Sequence, residues 1–147
     1  MFEVIRRSRR DDGVEAVEFA LVVPILLLLI SGIVNLGFAY NAATLVSTAV
    51  RDGARMASLG GSVADMCNSV WGDTATLPNI GAAQLTIVYD TVTVGPVAKG
   101  ASACSSTAIP DSGETATVTL TYTNKWLIPV FFNNETTITR SSQMRVE

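Results

Sequence analysis

The chain has 147 residues, 10 Lys and Arg against 13 Asp and Glu, two cysteines and no histidine. That length holds one membrane helix and one modest domain but not two cores, and the missing histidine excludes Ser-His-Asp, Cys-His and histidine-ligated metal chemistry. The net charge is −3 and the basic residues beyond the N-terminal flank are scattered, so no electrostatic footprint for nucleic acid exists.

The N-terminal flank carries Arg6, Arg7, Arg9 and Arg10 and reaches Gly13 ahead of an apolar run. From Phe19 to Leu36 only Pro24, Ser31, Gly32 and Asn35 interrupt that run, and between Phe19 and Ile30 it has no polar face of the kind a soluble core helix keeps. About 20 helical residues cross the roughly 30 Å hydrocarbon core of a bilayer. A transmembrane segment at about 19–40 is therefore expected, with the N-terminus cytoplasmic and everything after Tyr40 outside by the positive-inside rule. Pro24 removes one backbone donor and is expected to kink or loosen the helix. The rival reading is a secretory signal peptide cut near Gly37-Phe38-Ala39. The length of the apolar region and the helical pattern that continues past that point oppose it.

The basic leader, Gly13, the Gly-(four residues)-Glu-Phe spacing and the apolar helix resemble the type IV pilin class. The closer resemblance is to the TadE-like pseudopilins of the tight-adherence (Flp) pilus system. It rests on Ala16-Val17-Glu18-Phe19-Ala20-Leu21-Val22-Val23-Pro24, on Ala49-Val50-Arg51-Asp52-Gly53-Ala54-Arg55, and on the closing Met144-Arg145-Val146-Glu147. The resemblance implies cleavage between Gly13 and Val14 by a prepilin peptidase, with residues 1–13 lost as a leader. It also implies a register role for Glu18, next to Phe19. The new Val14 amine is a cation in a membrane or helix bundle, and Glu18 of a neighbouring subunit is its counter-ion. The plainer reading leaves Glu15 and Glu18 solvated at the membrane surface beside Asp11 and Asp12. The partners implied are the peptidase, other pilin or pseudopilin subunits, the assembly platform and the inner (cytoplasmic) membrane.

Past Tyr40 the pattern becomes amphipathic. Ala39, Ala43, Val46, Val50, Ala54 and Ala57 recur at steps of three and four, with Asn41, Thr44, Thr48, Arg51, Asp52 and Arg55 opposite. Gly60-Gly61 reads as a C-cap, so one helix is expected over 14–59, and residues 60–147 form an extracytoplasmic head. Gly53 inside the helix signals close packing or plain tolerance.

Residues 61–83 and 98–113 read as loop, with a short helix around Val63 to Val70. Cys67 and Cys104, one in each stretch, form a disulfide in an oxidising compartment, two free thiols being the alternative. Strands are expected over Gln84 to Asp90, Thr91 to Val97 (ended by Pro96), Glu114 to Thr123 and Thr136 to Val146. The third is the clearest: Ala116, Val118, Leu120 and Tyr122 alternate with five threonines.

Between the last two strands the apolar segment Trp126 to Phe132 reads equally as core filling or as a contact patch centred on Trp126, Phe131 and Phe132. The acids of the head, Asp65, Asp73, Asp90, Asp111 and Glu114, fall in turn-rich stretches and follow no calcium-loop spacing. No phosphate loop or nucleotide fingerprint occurs, so no cofactor or metal is expected. The expected fold is α+β: a long N-terminal transmembrane and amphipathic helix, then a small antiparallel sheet of three or four strands. The expected function is a minor pilin, a structural subunit rather than an enzyme. The alternative is an unprocessed single-span protein with an extracytoplasmic interaction domain.

Overall fold

The computed structural model describes residues 3–90, 92–126 and 135–147, with residues 3–12 and Ala103 described by their backbone alone. The element order is α1 (Glu3–Ser58), α2 (Val63–Asp73), a 3-10 turn (Ile80–Ala82), β1 (Gln84–Tyr89), β2 (Val92–Val97), a second 3-10 turn (Ser102–Ser105), β3 (Thr115–Lys125) and β4 (Glu135–Arg145). The expected α+β class holds, with four strands in one antiparallel sheet of order β2-β1-β3-β4. The chain divides into two compact units, residues 1–37 and 38–147.

The first unit is helix throughout its described residues. The helix starts at Glu3, ahead of the expected Val14, and runs through Gly13 and Pro24 without a break. Its apolar side chains face outward all round: Leu21, Ile25, Leu26, Leu29 and Ile33 are each more than half exposed. Among the described residues this is the one helix long and apolar enough to cross a membrane.

The second unit begins at Phe38, so the C-terminal part of α1 belongs to the head. Here the buried stripe is Ala42, Val46, Ala49, Val50, Ala54 and Ala57. Ala39 and Ala43, expected on it, are only half-buried. Small side chains let α1 lie close to its neighbours, most tightly at Gly53. The helix stops in a Schellman motif: Gly60, at φ 75°, donates to the Ala57 carbonyl, and Gly61 donates to that of Met56. A β-carbon on Gly61 would stand 2.7 Å from the Met56 oxygen, which reserves the site for glycine.

The sheet buries one face. In β3 the residues Ala116, Val118, Leu120, Tyr122 and Asn124 point inward and the threonines outward, as their alternation requires. On the outer face hydroxyls bond across strands, Thr119 Oγ1 to Ser141 Oγ at 3.1 Å and Thr121 with Thr139 at 3.2 Å. The Tyr122 hydroxyl donates to the Pro78 carbonyl at 2.7 Å, pinning the 74–79 turn over the sheet. Burial pushes the pKa of this phenol up.

Strand β2 ends at Val97, as expected, and holds Pro96 within it. It is an edge strand, where a missing amide is tolerated, and its register slips against β1 between Leu85 and Ile87. Gly95 fills the slip at φ 118°, with the Leu85 oxygen 2.5 Å from where its β-carbon would be.

Candidate functional site

Two groups of residues carry the functional interest, one in each unit. In the first, Gly13, Val14, Glu18 and Phe19 are all exposed on α1, and beyond the adjoining turns of the helix nothing described lies within 4 Å of where a Gly13 β-carbon would be. Val14 and Glu18 stand four residues apart on one helical face. Lys125 and Glu135 form an ion pair at 3.6 Å, exposed and in the other unit. Pro24 is exposed within the same helix. Lacking an N–H, it leaves the Ala20 carbonyl without its usual helical donor.

The second group surrounds the N-terminus of α2. Ser62 caps it, accepting from the Asp65 amide at 3.3 Å, while the Asp65 carboxylate accepts from the Ser62 amide at 2.9 Å and from the Ser62 hydroxyl at 2.6 Å. These hydrogen bonds hold the Asp65 carboxyl below its ordinary value. Val63 and Ala64, whose amides no capping side chain reaches, donate to the carbonyls of Ala108 and Ser106. The first-turn donors of α2 are thus all satisfied, two of them by a segment more than 40 residues on. Cys67, buried on α2, is bonded to Cys104 on the 102–105 turn, with the two Cα atoms 5.7 Å apart. The expected disulfide is therefore present.

Of the other expected site residues, Trp126 is half-buried and its indole donates to Thr136 Oγ1 at 2.8 Å, tying the end of β3 to the start of β4. Phe131 and Phe132, the other members of the expected contact patch, lie outside the described residues. The head acids have local work: Asp111 and Glu114 close a turn through the Asp111 amide and the Glu114 carboxylate at 2.9 Å, and Asp90 occupies a left-handed turn at φ 44°. No three His, Cys, Asp or Glu side chains gather among the described residues.

Sequence reading missed the pairing of Asp52 on α1 with Asp73 at the end of α2. Burial and the Asp52 carboxyl raise the Asp73 pKa above its ordinary value. It also missed the capping box, which was legible as Ser62 followed three residues later by an acid. Trp71 is buried with its indole N–H lacking a described acceptor, which no sequence signal marks.

The architecture is that of an α+β head following a helix able to cross a membrane. Residues 13–55 match the family model described as TadE-like protein. The match covers Gly13, Glu18, Pro24 and the Gly53 segment and stops at Arg55; the closing Met144 to Glu147 lies beyond it. No curated protein and no solved structure matches the chain.

Proposed function

We propose that the chain is a minor pilin or pseudopilin of a tight-adherence pilus, inserted in the inner membrane with its N-terminus cytoplasmic and cut by a prepilin peptidase after Gly13. The observation that carries this reading is the coincidence of the TadE-like match over residues 13–55 with a helix whose apolar side chains are exposed in every direction. Such a surface needs a bilayer or other helices around it. After cleavage the Val14 amine and Glu18 of successive subunits pair in that apolar setting and set the axial register, because an unpaired charge is penalised at every other stagger. The head remains outside, where Trp126 together with Phe131 and Phe132 contacts a neighbouring subunit or the assembly platform.

N-terminal sequencing and intact mass of the membrane-extracted protein test this directly. A chain beginning at Val14, and its loss in Gly13→Ala, supports the pilin. A chain that keeps its leader beside an active peptidase supports instead a permanently anchored single-span protein.

A further inference from the structure

The two cysteines differ in access. Cys67 is fully buried on the inner face of α2, beside Val63, Met66 and Val70, whereas Cys104 is half-buried on a short surface turn flanked by exposed Ser102 and Ser105. Their partners differ as well. Cys67 sits on a helix started by its own capping box, and Cys104 belongs to a segment held to that helix by the Ala108 and Ser106 carbonyls. We infer that Cys104 is the site at which the head exchanges with a disulfide oxidant, and that Cys67 is the resolving thiol.

Thiol–disulfide exchange requires the attacking sulfur to line up with the bond it breaks, and it proceeds through a mixed disulfide. In the bonded head Cys104 is the sulfur nearer solvent, and carrying that order of access over to the reduced head makes its thiol the first to react. Its thiol loses a proton to solvent, the thiolate attacks one sulfur of the oxidant, and the oxidant's own disulfide opens with its second sulfur leaving as thiolate. Docking of Ser106 and Ala108 onto the Val63 and Ala64 amides then holds Cys104 at bridging distance from Cys67. The Cys67 thiolate, its proton released, attacks the Cys104 sulfur. The mixed bond breaks, and the oxidant departs reduced by two electrons, taking up two protons as its thiols reform.

The same asymmetry shelters the finished bond. A reductant reaching the Cys104 sulfur must expel the Cys67 thiolate into the apolar core, the reverse of the closing step, so the burial that slows reduction also slows closure. The inference needs from the proposed function only that the head meets an oxidant, and its test involves no pilus. The reduced full-length protein in detergent, as Cys67→Ser and as Cys104→Ser, is mixed with oxidised glutathione, and mixed-disulfide formation is followed by intact mass. Cys67→Ser, which keeps Cys104, should react about tenfold faster or more in native buffer, and the two variants should converge in urea. Equal native rates, or a faster Cys67, overturn the assignment. Should either variant lose its cooperative melt, the reduced wild-type chain is acid-quenched at early times and peptide-mapped. Glutathione found first on Cys104 supports the order, and glutathione found first on Cys67, or on both equally, overturns it.

Discussion

Gly53 of α1 lies so close to Val70 of α2 that a β-carbon on the glycine would stand 2.6 Å from the valine Cγ2, with Val118 Cγ1 of β3 at 3.3 Å. Helix, helix and sheet meet at this one missing side chain. Alanine there gains about 1 kcal/mol of helix propensity, but forcing apart a packed β-branched neighbour costs about 1–3 kcal/mol. Gly53→Ala is therefore expected to lower stability modestly and Gly53→Leu severely. Because the overlap is with one side chain, Gly53→Ala combined with Val70→Ala should lose less than the sum of the two single changes. Urea unfolding of the full chain in detergent, run as a double-mutant cycle, measures this, and strict additivity would contradict the contact.

Opening the Cys67–Cys104 bond frees a loop with a sequence separation of 37. The chain-entropy relation gives a loss of about 4 kcal/mol. Cys67→Ser with Cys104→Ser should therefore shift the urea midpoint strongly downward. Hydrogen exchange should quicken at the Val63 and Ala64 amides, whose acceptors lie on the released segment.

Asp73 carries a pH signature of its own. Its folded pKa lies above the ordinary 3.8, first through desolvation and then through Asp52. The protonated form is thus favoured by folding, and the associated stability is present below about pH 3.8 and lost as pH rises through the raised value. At neutral pH two carboxylates face each other, one of them also at the unfavourable end of a helix dipole. Asp73→Asn should therefore raise the melting temperature at pH 7, and that gain should vanish as the pH is taken below about 3.8. A gain that persists in acid would point to packing instead of charge.

Glu18 is expected to act between molecules. Glu18→Gln leaves the apolar run and the basic flank intact, so membrane insertion and cleavage after Gly13 should survive. Incorporation into sheared pili or cross-linked complexes should fall at least about tenfold if a buried amine loses its counter-ion. Membrane fractionation, N-terminal sequencing and pilus incorporation, scored separately, distinguish this from a solvated surface glutamate, for which all three stay normal.

Elements whose signal is local were legible in the sequence. The alternation of β3 placed Ala116, Val118, Leu120 and Tyr122 inside, and Gly60-Gly61 marked the end of α1. The apolar run announced a membrane-capable helix. What escaped depended on distant partners. Nothing local shows that the amides of Val63 and Ala64 find carbonyls at Ala108 and Ser106, or that Asp52 meets Asp73. The buried stripe of α1 was misplaced at Ala39 and Ala43 because alanine fits a buried or half-buried site equally well, and only the neighbouring elements decide. The end of β2 at Val97 was legible, but that Pro96 is tolerated because its strand lies at the sheet edge was not. Gly53 allowed two readings until Val70 was found against it.

The boundary at Phe38 has a practical consequence for anyone wanting the head in water. A fragment starting at Gly60 would discard Ala42, Val46, Ala49, Val50, Ala54 and Ala57, all of them buried. Val70 and Val118 would then lose the cover of α1 at Gly53, and such a fragment should aggregate or resist expression. A fragment starting near Phe38 keeps the lid on its own core and discards most of the lipid-seeking run. The length of helix retained, more than the completeness of the sheet, determines whether the head can be handled without detergent.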